Sequence, residues 1–131
     1  MTYVDVELLL VGWLSSLVPD GCRVCTDLPA TLQDELPVVQ VVRAPGGGDG
    51  TLTIDTAVVD VEVYAADRAG AVGLAEVVRG LLRLRLPGWF DGRATVLAVE
   101  TSSPPIWRPY DDAARIRRFG ATYVIKVQSA V

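Results

Sequence analysis

Cys22 and Cys25, in "CRVC", have the spacing of a redox or zinc motif. Zinc takes four N, S or O ligands in a tetrahedron, and with no other cysteine and no histidine in the chain a zinc site could be completed only across subunits. A reactive thiol pair opens a helix, whose N-terminus lowers the thiol pKa, whereas residues 23 to 26 read as a short strand. Side chains three apart on a strand leave on opposite faces, so the expectation is two buried or half-buried reduced thiols. A small enzyme using Cys22 and Cys25 is the alternative that this pair leaves open. The missing histidine removes Ser-His-Asp triads, Cys-His dyads and imidazole metal sites together.

Three other groups could do chemistry. Asp60 and Glu62 stand two apart on one strand face, where paired acids can exchange a proton or hold a cation. No third polar ligand is recognisable nearby, so a solvated or interface face is expected. The arginines of "ARIRRFG", Arg115, Arg117 and Arg118, could clasp phosphate or a partner's carboxylates, or protect an edge strand. Gly46, Gly47, Gly48 and Gly50 could expose backbone N–H groups to an anion, but a phosphate loop needs a helix after it and a Gly-Lys-Ser/Thr ending. A strand follows here, and no lysine is near. Trp107 and Tyr110, in "PPIWRPYDD", are amphipathic aromatics suited to an interface or to a lid on the chain's own core. No residue is assigned a catalytic, cofactor-binding or metal role.

The elements that position these residues follow from periodicity. Val6, Leu9, Leu10, Trp13 and Leu17 share one helical face, predicting a helix from about Val4 to Leu17 that Pro19, Asp20 and Gly21 end. "DLPATLQDELP" is an irregular excursion, and "VVQVVR" (Val38 to Arg43) a strand. Ala57, Val59, Val61 and Val63 alternate with Asp60, Glu62 and Tyr64, as in a half-buried strand. The glycine run between these strands is expected as a flexible loop at the tip of a long hairpin, either a mobile arm or a tolerant surface loop. Asp67 caps a second helix that runs to about Leu84, and Pro87 and Gly88 stop it. Ala94 to Ser102 is a strand, "SPPIWRPYDDA" a loop, and Arg118 to Gln128 a final alternating strand. The resulting class is α+β, with two helices on one face of a mostly antiparallel sheet of about five strands, order α-β-β-β-α-β-β. Asp60, Glu62, Tyr64, Thr122, Lys126 and Gln128 fall on the other face.

At 131 residues the chain fits a single domain, 1–131. Half its residues are hydrophobic and 21% are charged, a balance that anticipates partner-covered surface. No membrane span or signal peptide is expected, so synthesis in the cytoplasm is. The net charge of −4 argues against binding nucleic acid by counterion release. Up to Ala66 ten acids face two arginines, a net of −8, and from Asp67 onward ten bases face six acids, a net of +4. Opposite halves could close a head-to-tail ring of copies, or could mix in space within one fold and cancel.

"LPVVQVVRAPGG", then "DTAVVDVEVYAADRAGAVGLAEVVRGLL", a Pro-rich loop and a terminal "RRFGATYVIKV" together resemble the tail terminator (tail completion) proteins of long-tailed bacteriophages. The resemblance spans Leu36 to Val127. It implies a structural, non-enzymatic virion protein at the head-tail junction, assembled in the host cytoplasm. Such a protein forms a ring, a hexamer in this reading, that caps the tail tube, ends its polymerisation and meets the head-tail connector protein. Its partners would be other copies of itself, the tail tube protein and the connector, with DNA passing through without specific binding. Asp60 and Glu62 would then face the channel and repel phosphates. Arg43, Gly46, Gly47, Gly48, Asp49, Gly50, Arg115, Arg117 and Arg118 would contact the neighbouring subunit or the tube. A head-tail stopper or adaptor of the phage neck shares parts of the same pattern. "CRVC" is not part of it.

Overall fold

The computed structural model describes residues 3–51, 53–110 and 115–130. Along the chain, helix α1 (Val6–Ser15) leads to β1 (Arg23–Cys25), a single 3-10 turn (Leu32–Asp34), β2 (Val38–Asp49) and β3 (Ile54–Ala65). Helix α2 (Arg68–Leu84) and strands β4 (Ala94–Trp107) and β5 (Arg117–Ser129) complete it. Both helices begin at an aspartate. Asp5 accepts from the Leu8 amide at 3.1 Å and Asp67 from the Gly70 amide at 2.7 Å, each satisfying a donor that the first turn leaves open. Helix α1 stops short of the expected Leu17, and Val18, the residue before Pro19, is disfavoured in helical geometry.

The class is α+β with two helices and a five-stranded, mostly antiparallel sheet. The elements follow one another along the chain as expected, but the strand order within the sheet departs from that succession. It is β1-β2-β3-β5-β4, so the last strand lies between β3 and β4 and pairs antiparallel with both. The β1–β2 pair is parallel, which requires a crossover, and residues 26–37 supply it.

One cluster of buried side chains joins both helices to the sheet. Val6, Leu10 and Leu14 of α1 and Ala71, Leu74, Ala75, Val78 and Leu82 of α2 pack on Val39, Val59, Val61, Val63, Tyr123 and Ile125. On the sheet's opposite face Leu28, Leu32 and Leu36 of the crossover pack with Val38, Tyr64 and Ile116. One row of paired residues runs across the whole helix-side face: Val24, Val39, Val63, Phe119 and Trp107.

Two expectations are corrected. The glycine run is not a loop, because Gly47, Gly48 and Asp49 pair with Ala57, Thr56 and Asp55 as a continuation of β2 past a bulge between Ala44 and Gly47. The bulge and the left-handed residue Gly47 (φ 71°) restore the ladder, and a Cβ at Gly47 would strike the Thr56 carbonyl. The turn lies between Asp49 and Ile54. Strand β4 also outruns its expected end at Ser102 and continues through Pro104 and Pro105 to Trp107. It can do so as an edge strand, where a proline's missing donor faces no neighbour. Residues 111–113, the end of the expected loop, lie outside the described residues.

Candidate functional site

A polar constellation is built on the side of the sheet opposite the helices by three segments. Strand β3 places Glu62 and Tyr64 there, β5 places Arg118 and Thr122, and the chain leaving β4 brings back Arg108 and Tyr110. Glu62 is 8% exposed. Arg108 Nη1 donates to Glu62 Oε1, and Arg118 Nε lies 4.0 Å from Oε2. Gly120 is the β5 partner of Glu62 across the ladder, and a Cβ there would collide with the carboxylate and with Arg108. The glycine leaves the space in which the ion pair lies.

Aromatic rings close this cluster. The Tyr110 ring meets Tyr64 edge-to-face with centroids 5.2 Å apart, and the Arg118 guanidinium lies 5.4 Å from the Tyr110 centroid. The Tyr64 hydroxyl donates to Gln40 Oε1 at 2.9 Å, and burial pushes its pKa up. Arg118 Nη2 donates to the Pro109 carbonyl at 3.0 Å. A carboxylate neutralised by two guanidiniums and roofed by a tyrosine pair is suited to pinning segment 107–110 against the sheet. It is poorly placed for proton transfer.

Of the solvated or interface face expected for Asp60 and Glu62, the geometry corrects solvation alone. Glu62 is buried and charge-paired, while Asp60 is half-buried and accepts from Thr122 Oγ1 at 2.6 Å. Arg117 and Arg118 protect no edge either, since β5 is internal. Arg118 is spent inside the cluster. Arg115 is exposed, with φ 57°, just before β5. Arg43 is engaged within the chain: its guanidinium makes a two-point ion pair with Asp55 at 2.6 and 2.7 Å, and its amide donates to Glu7 Oε2 at 2.7 Å. That clamp ties the base of the hairpin to α1. The oppositely charged halves interleave through the sheet, and the Arg108–Glu62 pair joins them directly.

Cys22 packs toward the main core and Cys25 toward the cluster under the crossover, so the two thiols do go to opposite sides. Both are reduced and half-buried, and burial pushes both thiol pKa values up. Of the two aromatics, Tyr110 is a lid on the chain's own cluster, whereas Trp107 is 55% exposed. Among the described residues no group of three or more Cys, Asp or Glu could hold a metal ion, and no helix is long and apolar enough to cross a membrane. Sequence reasoning missed Arg108 and Gly120, because neither residue type is notable until the register sets both against Glu62.

Fold and polar clusters together define a small α+β protein whose buried ion pairs fasten strands and connections to one another. Residues 2–86, from α1 to the end of α2, match the model of a family described as phage tail termination protein, and the chain belongs to that family. No curated protein matches it. Membership gives the chain a structural role in terminating the phage tail and a place in the virion tail, in contact with other tail proteins.

Proposed function

We propose that this chain forms a ring on the end of the phage tail tube, stops tube polymerisation there and presents the surface that the head-tail connector joins. The observation that carries the proposal is the family match over residues 2–86, which takes in α1, the β2–β3 hairpin and α2. Residues 1–131 act as a single domain in this reading, supported by the one core cluster that both helices share with the sheet. Copies of the chain close the ring, with six as the working number. Role and partners are those of a structural protein without catalysis.

The site reading is narrower than composition suggested. The sheet face opposite the helices turns toward the channel, where Asp60 contributes the charge that keeps DNA sliding, since the charge of Glu62 is taken up by Arg108. The hairpin from Arg43 through Gly46, Gly47, Gly48, Asp49 and Gly50 contacts the neighbouring subunit or the tube as a clamped β-arm. Arg115, beside Arg117 and Arg118, is the exposed part of the basic contact.

The test is tail assembly in vitro. Purified protein is added to polymerising tail tube protein and tube lengths are measured by electron microscopy. Capped tubes with extra density at one end, and lengths that stop increasing once the protein is added, are the expected result. Unchanged tube growth together with binding to filled heads would reassign the chain as a head-tail stopper or adaptor.

A further inference from the structure

The unabsorbed feature is an apolar groove of about 520 Å³ beside β1, walled by Cys22, Pro37, Ala65, Gly73, Leu74 and Val77. Val77 is 45% exposed, an aliphatic side chain at the groove's edge beside the buried Leu74 and Val78 of the same helix. The charged residues lining the groove are Asp20 and Asp67, both acidic, and exposed Asp34 stands in the connection that supplies Leu36 and Pro37.

Trp107 is its counterpart. It ends the cross-strand row that begins at Val24, so it lies at the same level of the sheet as the groove but on the opposite margin, because β1 and β4 are the two edges. Four strand spacings separate those margins, about 19 Å at roughly 4.8 Å per spacing, and Trp107 does not line the groove of its own copy. Arg108 adjoins Trp107, with a side chain 26% exposed, and exposed Arg115 precedes the strand that pairs with β4.

We infer that Trp107 of one copy inserts into the groove between α2 and the β1 margin of the next copy, with exposed Arg115 facing Asp20, Asp34 and Asp67 across the contact. An exposed tryptophan suits an apolar pocket, and an exposed arginine ahead of β5 suits a rim of carboxylates. Two different patches on opposite margins make a heterologous contact, which repeats from copy to copy and can close into a ring. The inference rests on the ring reading above and supplies its interface.

Photo-crosslinking tests it. The full chain with p-benzoylphenylalanine at position 107 keeps an apolar aromatic there and is irradiated at a concentration where light scattering shows association. Cross-linked peptides from residues 19–37 or 65–77 of a second copy are expected. Two variants accompany the probe. Trp107→Ala should weaken association at least tenfold. Gly73→Gln puts a side chain into the groove where a Cβ meets no atom within 4 Å, and should weaken association as much with a melting temperature equal to or above the parent's. Association unaltered in both variants, or cross-links confined to other regions or to tail tube protein, would overturn the interface and leave the ring reading intact. A parent chain that stays monomeric at every concentration, with or without tail tubes, would overturn the ring reading and the interface with it.

Discussion

Glu62 lies directly across the β3–β5 ladder from Gly120, and its carboxylate occupies the space that a Cβ at position 120 would need. A Gly120→Ala change therefore drives the Glu62–Arg108 pair apart inside a nearly closed site. The expected cost is about 2–4 kcal/mol, that of opening a buried ion pair together with overpacking. Urea unfolding measures it. Adding Glu62→Ala removes the clash with the carboxylate, the closer of the two, so the double variant should lose less than the two single losses added together, and strict additivity would argue that the two positions do not meet.

The Arg43–Asp55 clamp makes a second expectation. Asp55 is buried and Arg43 partly exposed, so Asp55→Ala should cost about 1–2 kcal/mol, between the values for surface and buried pairs. The Glu7 contact to the Arg43 amide would hold one side of the hairpin base in place. Faster limited proteolysis between Asp49 and Ile54 should accompany the loss. Stability and cleavage rate equal to the parent's would show that the clamp contributes nothing.

Alkaline pH tests the core. Burial pushes the Tyr123 pKa from about 10 up to about 12, so the folded state holds that proton more tightly than the unfolded chain. The associated stability is fully present below pH 10 and is lost as the pH climbs to about 12. A shift of that size corresponds to about 3 kcal/mol. Tyr123→Phe should flatten the fall in stability between those pH values relative to the parent. Parallel pH curves for the two proteins would contradict it.

Thiol reactivity tests the reading of "CRVC". With both pKa values raised by burial, Cys22 and Cys25 carry little thiolate at pH 7.5 and should alkylate with iodoacetamide severalfold more slowly than free cysteine. In urea the rate should return to that of free cysteine. Alkylation faster than free cysteine in the folded protein would revive the thiol-enzyme reading.

Local signals in the chain were strong where one face of an element is buried. The stripe Leu74, Val78 and Leu82 placed α2, and the alternation from Ala57 to Val63 placed β3, because burial of one face imposes a period that can be read without knowing what covers it. The glycine run misled for the complementary reason. Glycine signals conformational freedom, and whether that freedom serves a loop or a bulge within a ladder depends on the strand opposite. Pro104 and Pro105 read as the end of a strand because nothing local announces that β4 is an edge.

The sequence by itself determined the two helices, the apolar face of each central strand, the opposite destinations of Cys22 and Cys25, and the lack of imidazole chemistry. These depend on residue type and on spacing within one element. Only the tertiary structure decided that β5 enters between β3 and β4, and this insertion sets Gly120 against Glu62, brings Arg108 onto the same carboxylate and leaves Trp107 on an open margin opposite the groove. The contacts at Glu62 join residues 46 or more positions apart, where pairing register rather than local periodicity chooses the neighbour.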